Sequence, residues 1–295
     1  MNMAQIIDGK LISAQIKEEL KEKTKNLFNE KGIIPGLALL LVGDNPASKS
    51  YVGSKEKSCA ELGFKSIVER LPDDTNEDIV LEFVNKWNND PTIHGILVQL
   101  PLPKHINEAK VIQSISPKKD VDGFHPESFG RLVIGLPGFV PCTPAGIVEL
   151  IKRYKIPTKG KHVVVIGRSN IVGKPIANLM YQKNPDANSI VTICHTAAPD
   201  LRYYTKQADI LIAAVGVPRI IKADDVKDGA VVIDVGINRV EDSSIEKGYR
   251  IVGDVDFDSV KEKASAITPV PGGVGLMTVA MLMQNTYKSA AGEVL

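Results

Sequence analysis

Short apolar runs punctuate the chain: LALLLVG (37–43), HGILVQL (94–100), HVVVIG (162–167), IVTICH (190–195), DILIAAVG (209–216) and AVVIDVG (230–236). Such unbroken runs suit strands buried on both faces rather than half-exposed strands, which alternate. Segments long enough for a helix separate most of them, so the pattern predicts an α/β protein with parallel sheets. A break falls near VPCTPAGIVELIKRYKIPTKGK, where Thr143 is placed to cap a helix that has Pro144 at its first position and ends before Pro157. This helix is expected to join two lobes, residues 1–145 and 146–277. The stretch VGLMTVAMLMQNTYKSAAG (274–292) is apolar and helix-compatible, and a C-terminal helix over 278–295 is expected to pack back on the first lobe. No repeat or low-complexity tract interrupts this plan.

Composition narrows the partners. The 295 residues leave room for two domains, each with its own core. With 36 Lys plus Arg against 35 Asp plus Glu, the net charge of +1 offers no broad field for nucleic acid or an anionic membrane, so a small molecule is the expected partner. Cys59, Cys142 and Cys194 lie far apart and form no CxxC pair, which argues against a zinc site or a disulfide framework and fits a reducing cytoplasm. The stretch MNMAQIIDGKLISAQIKEEL mixes charges into its apolar residues, unlike a signal peptide, and no segment is apolar for long enough to span a bilayer.

The second lobe carries the pattern of a nucleotide site. HVVVIGRSNIVGKPIANLM reads as strand, turn and helix, with Gly167 and Gly173 in the turn and Arg168, Ser169, Ile171 and Val172 between them. That order puts backbone amides and a helix N-terminus at the end of a strand, which suits a pyrophosphate, although Ser169 stands where GxGxxG has its second glycine and the spacing is one residue longer. An ordinary βα turn fits the same residues. The next strand ends in Cys194, His195 and Thr196, without the carboxylate expected for the ribose hydroxyls of NAD. The guanidinium of Arg168, helped by the Thr196 hydroxyl, could instead meet a 2′-phosphate, so NADP is expected over NAD; a solvated surface charge is the other reading of Arg168.

The first lobe raises a different question. Wound at about 100° per residue, YVGSKEKSCAEL places Tyr51, Leu62, Cys59 and Val52 at about 0°, 20°, 80° and 100°, with Lys55 at about 40°, inside the apolar arc. Either the lysine stem runs along the stripe to water, or the amine is desolvated in a cleft, where its lowered pKa lets it move protons near neutrality. Tyr51 could stack on a planar ligand or pack in the core. In GILVQLPLP, Gln99 ends a buried strand, where its amide could hold the amine or a water. In SPKKDVDGFHPESFG one of Asp120 and Asp122 is placed to serve a ligand while the other caps or turns the loop; spacing does not say which. TPVPGGVGLMT gathers prolines and glycines before a helix, allowing close backbone approach to a ligand. The histidines at 94, 105, 125, 162 and 195 make no metal-binding pattern, and no GxSxG elbow is present.

YVGSKEKSCAELG, HGILVQLPLP, PKKDVDG, PCTPAG, VIGRSNIVGKP, VVIDVGIN, IVGDVDF and ITPVPGGVG together resemble, in order and spacing and over nearly the whole chain, the bifunctional methylenetetrahydrofolate dehydrogenase/cyclohydrolases. The resemblance implies an N-terminal α/β catalytic domain and a C-terminal Rossmann-like dinucleotide-binding domain with a cleft between them. It implies oxidation of 5,10-methylenetetrahydrofolate by NADP and hydrolysis of the methenyl product to 10-formyltetrahydrofolate. By the same resemblance Lys55 is the principal catalytic group, Gln99 positions it, Tyr51 stacks on the folate and Asp122 bonds the pterin, with Leu100, Pro101, Pro271, Gly272 and Gly273 also lining the substrate. Gly167, Arg168, Ser169, Ile171, Val172, His195, Thr196, Ile237 and Thr278 would meet the dinucleotide, no metal is implied, and the family commonly forms homodimers through the nucleotide lobe.

Three departures stand out. Leu276 replaces the usual proline of PGGVGPMT and is expected to loosen a turn; HTAAP replaces the usual HSxT; and QKNPDANS (182–189) lengthens a surface loop. A dehydrogenase of the same plan for another small substrate, of the shikimate or amino-acid type, is the competing enzyme reading. A catalytically silent nucleotide-binding regulator is a third, and it would have no use for Lys55 beside Gln99.

Overall fold

In a computed structural model, residues 4–246 and 248–294 are described; positions 1–3 and Leu295, included in the expected N- and C-terminal segments, fall outside them. The chain runs β1 (Gln5–Ile6), α1 (Gly9–Lys31), β2 (Gly36–Val42), α2 (Pro46–Leu62), β3 (Lys65–Leu71), α3 (Glu77–Asn89) and β4 (Gly95–Val98). Then follow α4 (Glu108–Ser114), α5 (Pro126–Ile134), α6 (Cys142–Arg153), β5 (His162–Ile166), α7 (Gly173–Tyr181), β6 (Ile190–Cys194), α8 (Leu201–Thr205) and β7 (Ile210–Ala213). The chain finishes with β8 (Val231–Asp234), β9 (Asn238–Glu241), β10 (Tyr249–Val252), α9 (Phe257–Val260), β11 (Ala266–Ile267) and α10 (Val274–Ala291).

One unit comprises Ala14–Cys142 and Val279–Leu295. Its sheet has the order β3-β2-β4, both pairs parallel. Every residue of β2 is buried, and each such aliphatic side chain contributes about 1.5–3 kcal/mol of burial free energy. One face packs with Val80, Val84 and Trp87 of α3 and with Val111 of α4. The edge strand β3, KSIVERL, carries charges and is only partly buried, which kept it from reading as a strand in the sequence.

The other unit comprises Met1–Ser13 and Thr143–Thr278. Its six-stranded sheet has the order β1-β11-β8-β7-β5-β6, with every pair parallel, while β9 and β10 form a separate antiparallel ribbon. The chain order reverses at β5, whose neighbours are β6 and β7; a crevice at the C-terminal ends of strands on such a reversal is where open α/β sheets bind ligands.

The expected lobes need correction at three points. The N-terminal segment belongs to the six-stranded sheet, because β1 pairs with β11 in the register Gln5↔Ala266 and Ile6↔Ile267. The division falls at Cys142/Thr143 rather than 145/146 and also cuts within α1 and α10, so both helices contribute residues to both units. Thr143 lies inside α6 instead of capping it, and its hydroxyl is 2.9 Å from that of Thr278. The loop 182–189 is partly exposed, with Ala187 and Ser189 buried.

Candidate active site

Helix α2 has clear local causes. The Asn45 side chain accepts from the amides of Ala47 and Ser48, Pro46 opens the helix, and Gly63 ends it in the left-handed conformation at φ 72°. Its buried positions are Ser48, Val52, Lys55, Ser58, Cys59 and Leu62, spaced three or four apart. Lys55 is thus on the buried face and only 7% exposed, which removes the reading in which its stem runs out to water. Tyr51 departs from the predicted arc: it is 41% exposed, so its ring is not core packing.

The Lys55 amine donates to Gln99 Oε1 at 2.9 Å. Gln99 is held in turn, its backbone amide donating to Leu40 O at 2.8 Å and its Nε2 to Leu100 O at 2.7 Å. Because Nε2 is occupied with a carbonyl, Oε1 is the end that faces the amine. Pro101 follows a cis bond from Leu100. Burial lowers the Lys55 pKa, opposed by the charges of Asp122 and then Cys142. Asp122 is raised by burial, with Lys55 and a hydrogen bond from Cys142 pulling it back. Burial also holds Cys142 well above the ordinary thiol range, so it remains a protonated donor.

The two aspartates of PKKDVDG now separate. Asp120 is buried and accepts from Phe124 N at 3.1 Å, His125 N at 2.9 Å and Ser128 Oγ at 2.6 Å, so it organises the turn into α5. Asp122 is the one whose charge acts on Lys55. Gly123 has φ 75°, and a Cβ there would lie 2.6 Å from Pro141 N, so only glycine fits.

In the nucleotide unit, Gly167 follows β5 with φ 124°, and a Cβ would meet Ala214 O, at the end of β7, at 2.2 Å. A Cβ on Gly173 would meet Gly167 O at 2.3 Å. These glycines close the turn at the sheet's reversal. Not all of the helix amides are open, however: Ser169 Oγ accepts from Val172 N at 3.1 Å and Gly173 N at 3.2 Å. Among the described residues the amides of Arg168, Ser169, Asn170 and Ile171 have no protein acceptor. Arg168, Ile171 and Thr196 are exposed, while the His195 ring nitrogen Nδ1 accepts from Ala197 N at 3.3 Å. Ile237 is 49% exposed, and a Cβ on Gly275 would lie 3.3 Å from its Cδ1. Open amides, a guanidinium and a hydroxyl beside a glycine turn fit a dinucleotide phosphate.

Pro271, Gly272 and Gly273 fall in this unit, not with Lys55. Gly272 has φ 111° and its carbonyl accepts from Lys10 N at 3.1 Å, while a Cβ on Gly9 would lie 2.0 Å from Gly273 O. The glycines therefore serve close approach of the chain's own backbone. Leu276 sits in the first turn of α10 with its amide 3.4 Å from Gly273 O, a bond that the usual proline could not make, so the turn is not simply loosened.

Sequence reasoning missed Asp234 and Asp254. Asp254 Oδ2 accepts from Val215 N at 2.6 Å and Gly216 N at 3.0 Å, and its Oδ1 from Asn238 Nδ2 at 2.8 Å. Asp234 accepts from Gly236, Asp254 and Val255 amides, each at 2.9 Å. A Cβ on Gly236 would strike Asp254 Oδ1 at 2.3 Å and one on Gly253 would strike Asp234 Oδ2 at 1.8 Å. The usable signal was the pairing of Asp with a nearby glycine in both IDVGIN and IVGD.

A parallel sheet whose order reverses at a glycine turn and an α/β unit with a buried lysine bonded to Gln99 fit the class of dinucleotide-dependent enzymes. Two family models match, the tetrahydrofolate dehydrogenase/cyclohydrolase catalytic domain over residues 7–122 and its NAD(P)-binding domain over 141–294. The bifunctional protein FolD of Chlorobium chlorochromatii (strain CaD3) is 58% identical over 286 residues, 96% of this chain and 97% of that protein. The crystal structure of the FolD methylenetetrahydrofolate dehydrogenase/cyclohydrolase of Campylobacter jejuni is 50% identical with a TM-score of 0.92, covering 99% of this chain and all of that one. That of Trypanosoma brucei, complexed with NADP and an inhibitor, is 38% identical with a TM-score of 0.94 and 99% coverage of each chain. The chain belongs to the tetrahydrofolate dehydrogenase/cyclohydrolase family.

Proposed function

We propose that Lys55 is the proton-transfer group of an enzyme that oxidises 5,10-methylenetetrahydrofolate with NADP and hydrolyses the resulting methenyl compound to 10-formyltetrahydrofolate. The observation that carries this reading is the buried Lys55 amine, 2.9 Å from Gln99 Oε1 and within the field of Asp122. NADP supplies the hydride acceptor when bound, held by Arg168, Ser169 and Thr196 around the Gly167 turn. His195, Ile237 and Thr278, with Ile171 and Val172, complete that set.

Tyr51 offers its exposed ring to stack on the pterin, and Asp122 bonds the heterocycle's polar edge. Leu100 and Pro101, which follow Gln99 directly, would line the same substrate. The methenyl carbon is cationic and takes up water directly. As the new C–O bond forms, Lys55 accepts a proton from that water; it then returns a proton to the ring nitrogen as the C–N bond opens, and one proton is released overall. Gln99 keeps the amine aimed throughout.

One spectrophotometric experiment tests the reading: methylenetetrahydrofolate is supplied with NADP and then with NAD, and reduced cofactor and methenyl absorbance are followed separately. Both signals are expected, larger with NADP; the absence of both would return the chain to a dehydrogenase for another small substrate.

A homodimer paired through the nucleotide unit is part of the same reading. It is supported by the open edge of β6, which exposes Ile190 at 65% and Ile193 at 45%. Ile193→Lys is expected to convert a dimer to monomers in sedimentation velocity, and an unchanged sedimentation coefficient would reject this surface. Cytoplasmic residence accords with three free, buried cysteines; recovery of the activity in a secreted fraction would contradict it.

A further inference from the structure

The C-terminal helix α10 carries a polar residue that the catalytic scheme has not used. Asn285 is only 6% exposed, one turn after the buried Met281 and Leu282, so its amide needs hydrogen-bond partners inside the protein. Its Nδ2 donates to Val121 O at 2.9 Å and to Val140 O at 3.1 Å, and lies 3.8 Å from Cys142 Sγ. Val121 O belongs to the peptide group that leads directly into Asp122. The same carbonyl accepts from Cys142 Sγ at 3.4 Å. One turn further along α10, Ser289 Oγ donates to His94 O at 2.6 Å or Lys118 O at 3.1 Å, holding the start of the same loop beside the residue that precedes β4, the strand that leads to Gln99.

We propose that Asn285 is a positioning residue for Asp122: by holding the Val121 carbonyl against the 140–142 segment, it fixes the direction in which the carboxylate meets the folate. The inference rests on the assignment of Asp122 to the substrate. Two amide hydrogens bridging two carbonyls make a bidentate clamp that neither a hydroxyl nor a carboxylate at this position reproduces. Asn285 touches no reacting atom and acts only through the loop.

The test is a double-mutant cycle on the full-length enzyme. Asn285→Ala is expected to raise KM for methylenetetrahydrofolate about tenfold, with a smaller change in kcat and none in KM for NADP. In an Asp122→Asn background the same substitution is expected to leave the folate KM where Asp122→Asn alone put it, since the orientation it controls no longer matters. Equal effects in both backgrounds, a parallel rise in KM for NADP, or an unchanged folate KM would each overturn the proposal. Should Asn285→Ala fail to accumulate as folded protein, Asn285→Ser, which keeps one donor on a shorter arm, carries the same comparison. If Asp122→Asn by itself leaves the folate KM unaltered, the assignment of Asp122 falls and the proposal with it; if Asp122→Asn acts and Asn285 does not, only the proposal falls.

Discussion

Lys55→Met is expected to abolish hydrolysis of methenyltetrahydrofolate, lowering kcat by about a hundred- to ten-thousandfold, the usual contribution of a positioned acid or base. Methionine retains an unbranched stem in the buried stripe of α2 but has no amine to face Gln99 Oε1. The loss is read as methenyl absorbance that no longer decays above the uncatalysed rate; hydrolysis at near wild-type rate would remove Lys55 from its role. The oxidation step is expected to fall only as far as Lys55 orients substrate, so the ratio of the two activities separates chemistry from binding. The wild-type pH profile follows from the same environment. Burial lowers the Lys55 pKa, and the amine accepts a proton only when neutral, so hydrolysis rises with pH through that lowered value. Asp122 pulls the other way, and Asp122→Asn should move the midpoint of the rise to lower pH. Stability is linked with the same sign. The unfolded lysine holds its proton to higher pH than the folded one, so between the two values stability rises with pH, and Lys55→Met removes that slope.

How much of this was visible beforehand depended on the range of each interaction. The buried strands β2, β5, β7 and β8 were legible because burial on both faces writes an unbroken apolar run. Strand β1 was not, because two residues carry no period and its partner β11 lies at the far end of the chain. Lys55 was conspicuous as a charge inside an apolar arc, a local conflict that local reasoning can find. Which of Asp120 and Asp122 turns the loop could not be read from its sequence, since Asp120 is held by Ser128 and the amides of Phe124 and His125, whereas the charge of Asp122 acts on Lys55. Asn285 was hidden for the same reason: its partner Val121 is 164 residues away, and in QNTYKS it is one polar residue among several.

Arg168 shows where sequence reasoning about cofactor choice gains and loses ground. The end of β6 provides Cys194, His195 and Thr196 but no carboxylate, so nothing there favours ribose hydroxyls over a 2′-phosphate. The alanines of HTAAP supply no second hydroxyl, and the turn they form is closed through His195, whose Nδ1 accepts from Ala197 N and whose carbonyl accepts from Ala198 N. On the proposed reading, discrimination falls mainly on the one exposed guanidinium of Arg168, which follows Gly167 at a φ that side chains rarely adopt. A charge-assisted bidentate contact of this kind is worth roughly ten- to a hundredfold in affinity. Arg168→Gln is accordingly expected to lower kcat/KM for NADP by about that factor while leaving the value for NAD nearly unchanged. Steady-state kinetics with both cofactors checks it. An equal fall with both would make Arg168 a general part of the turn rather than the reader of the phosphate, and no fall with either would return it to the role of a solvated surface charge.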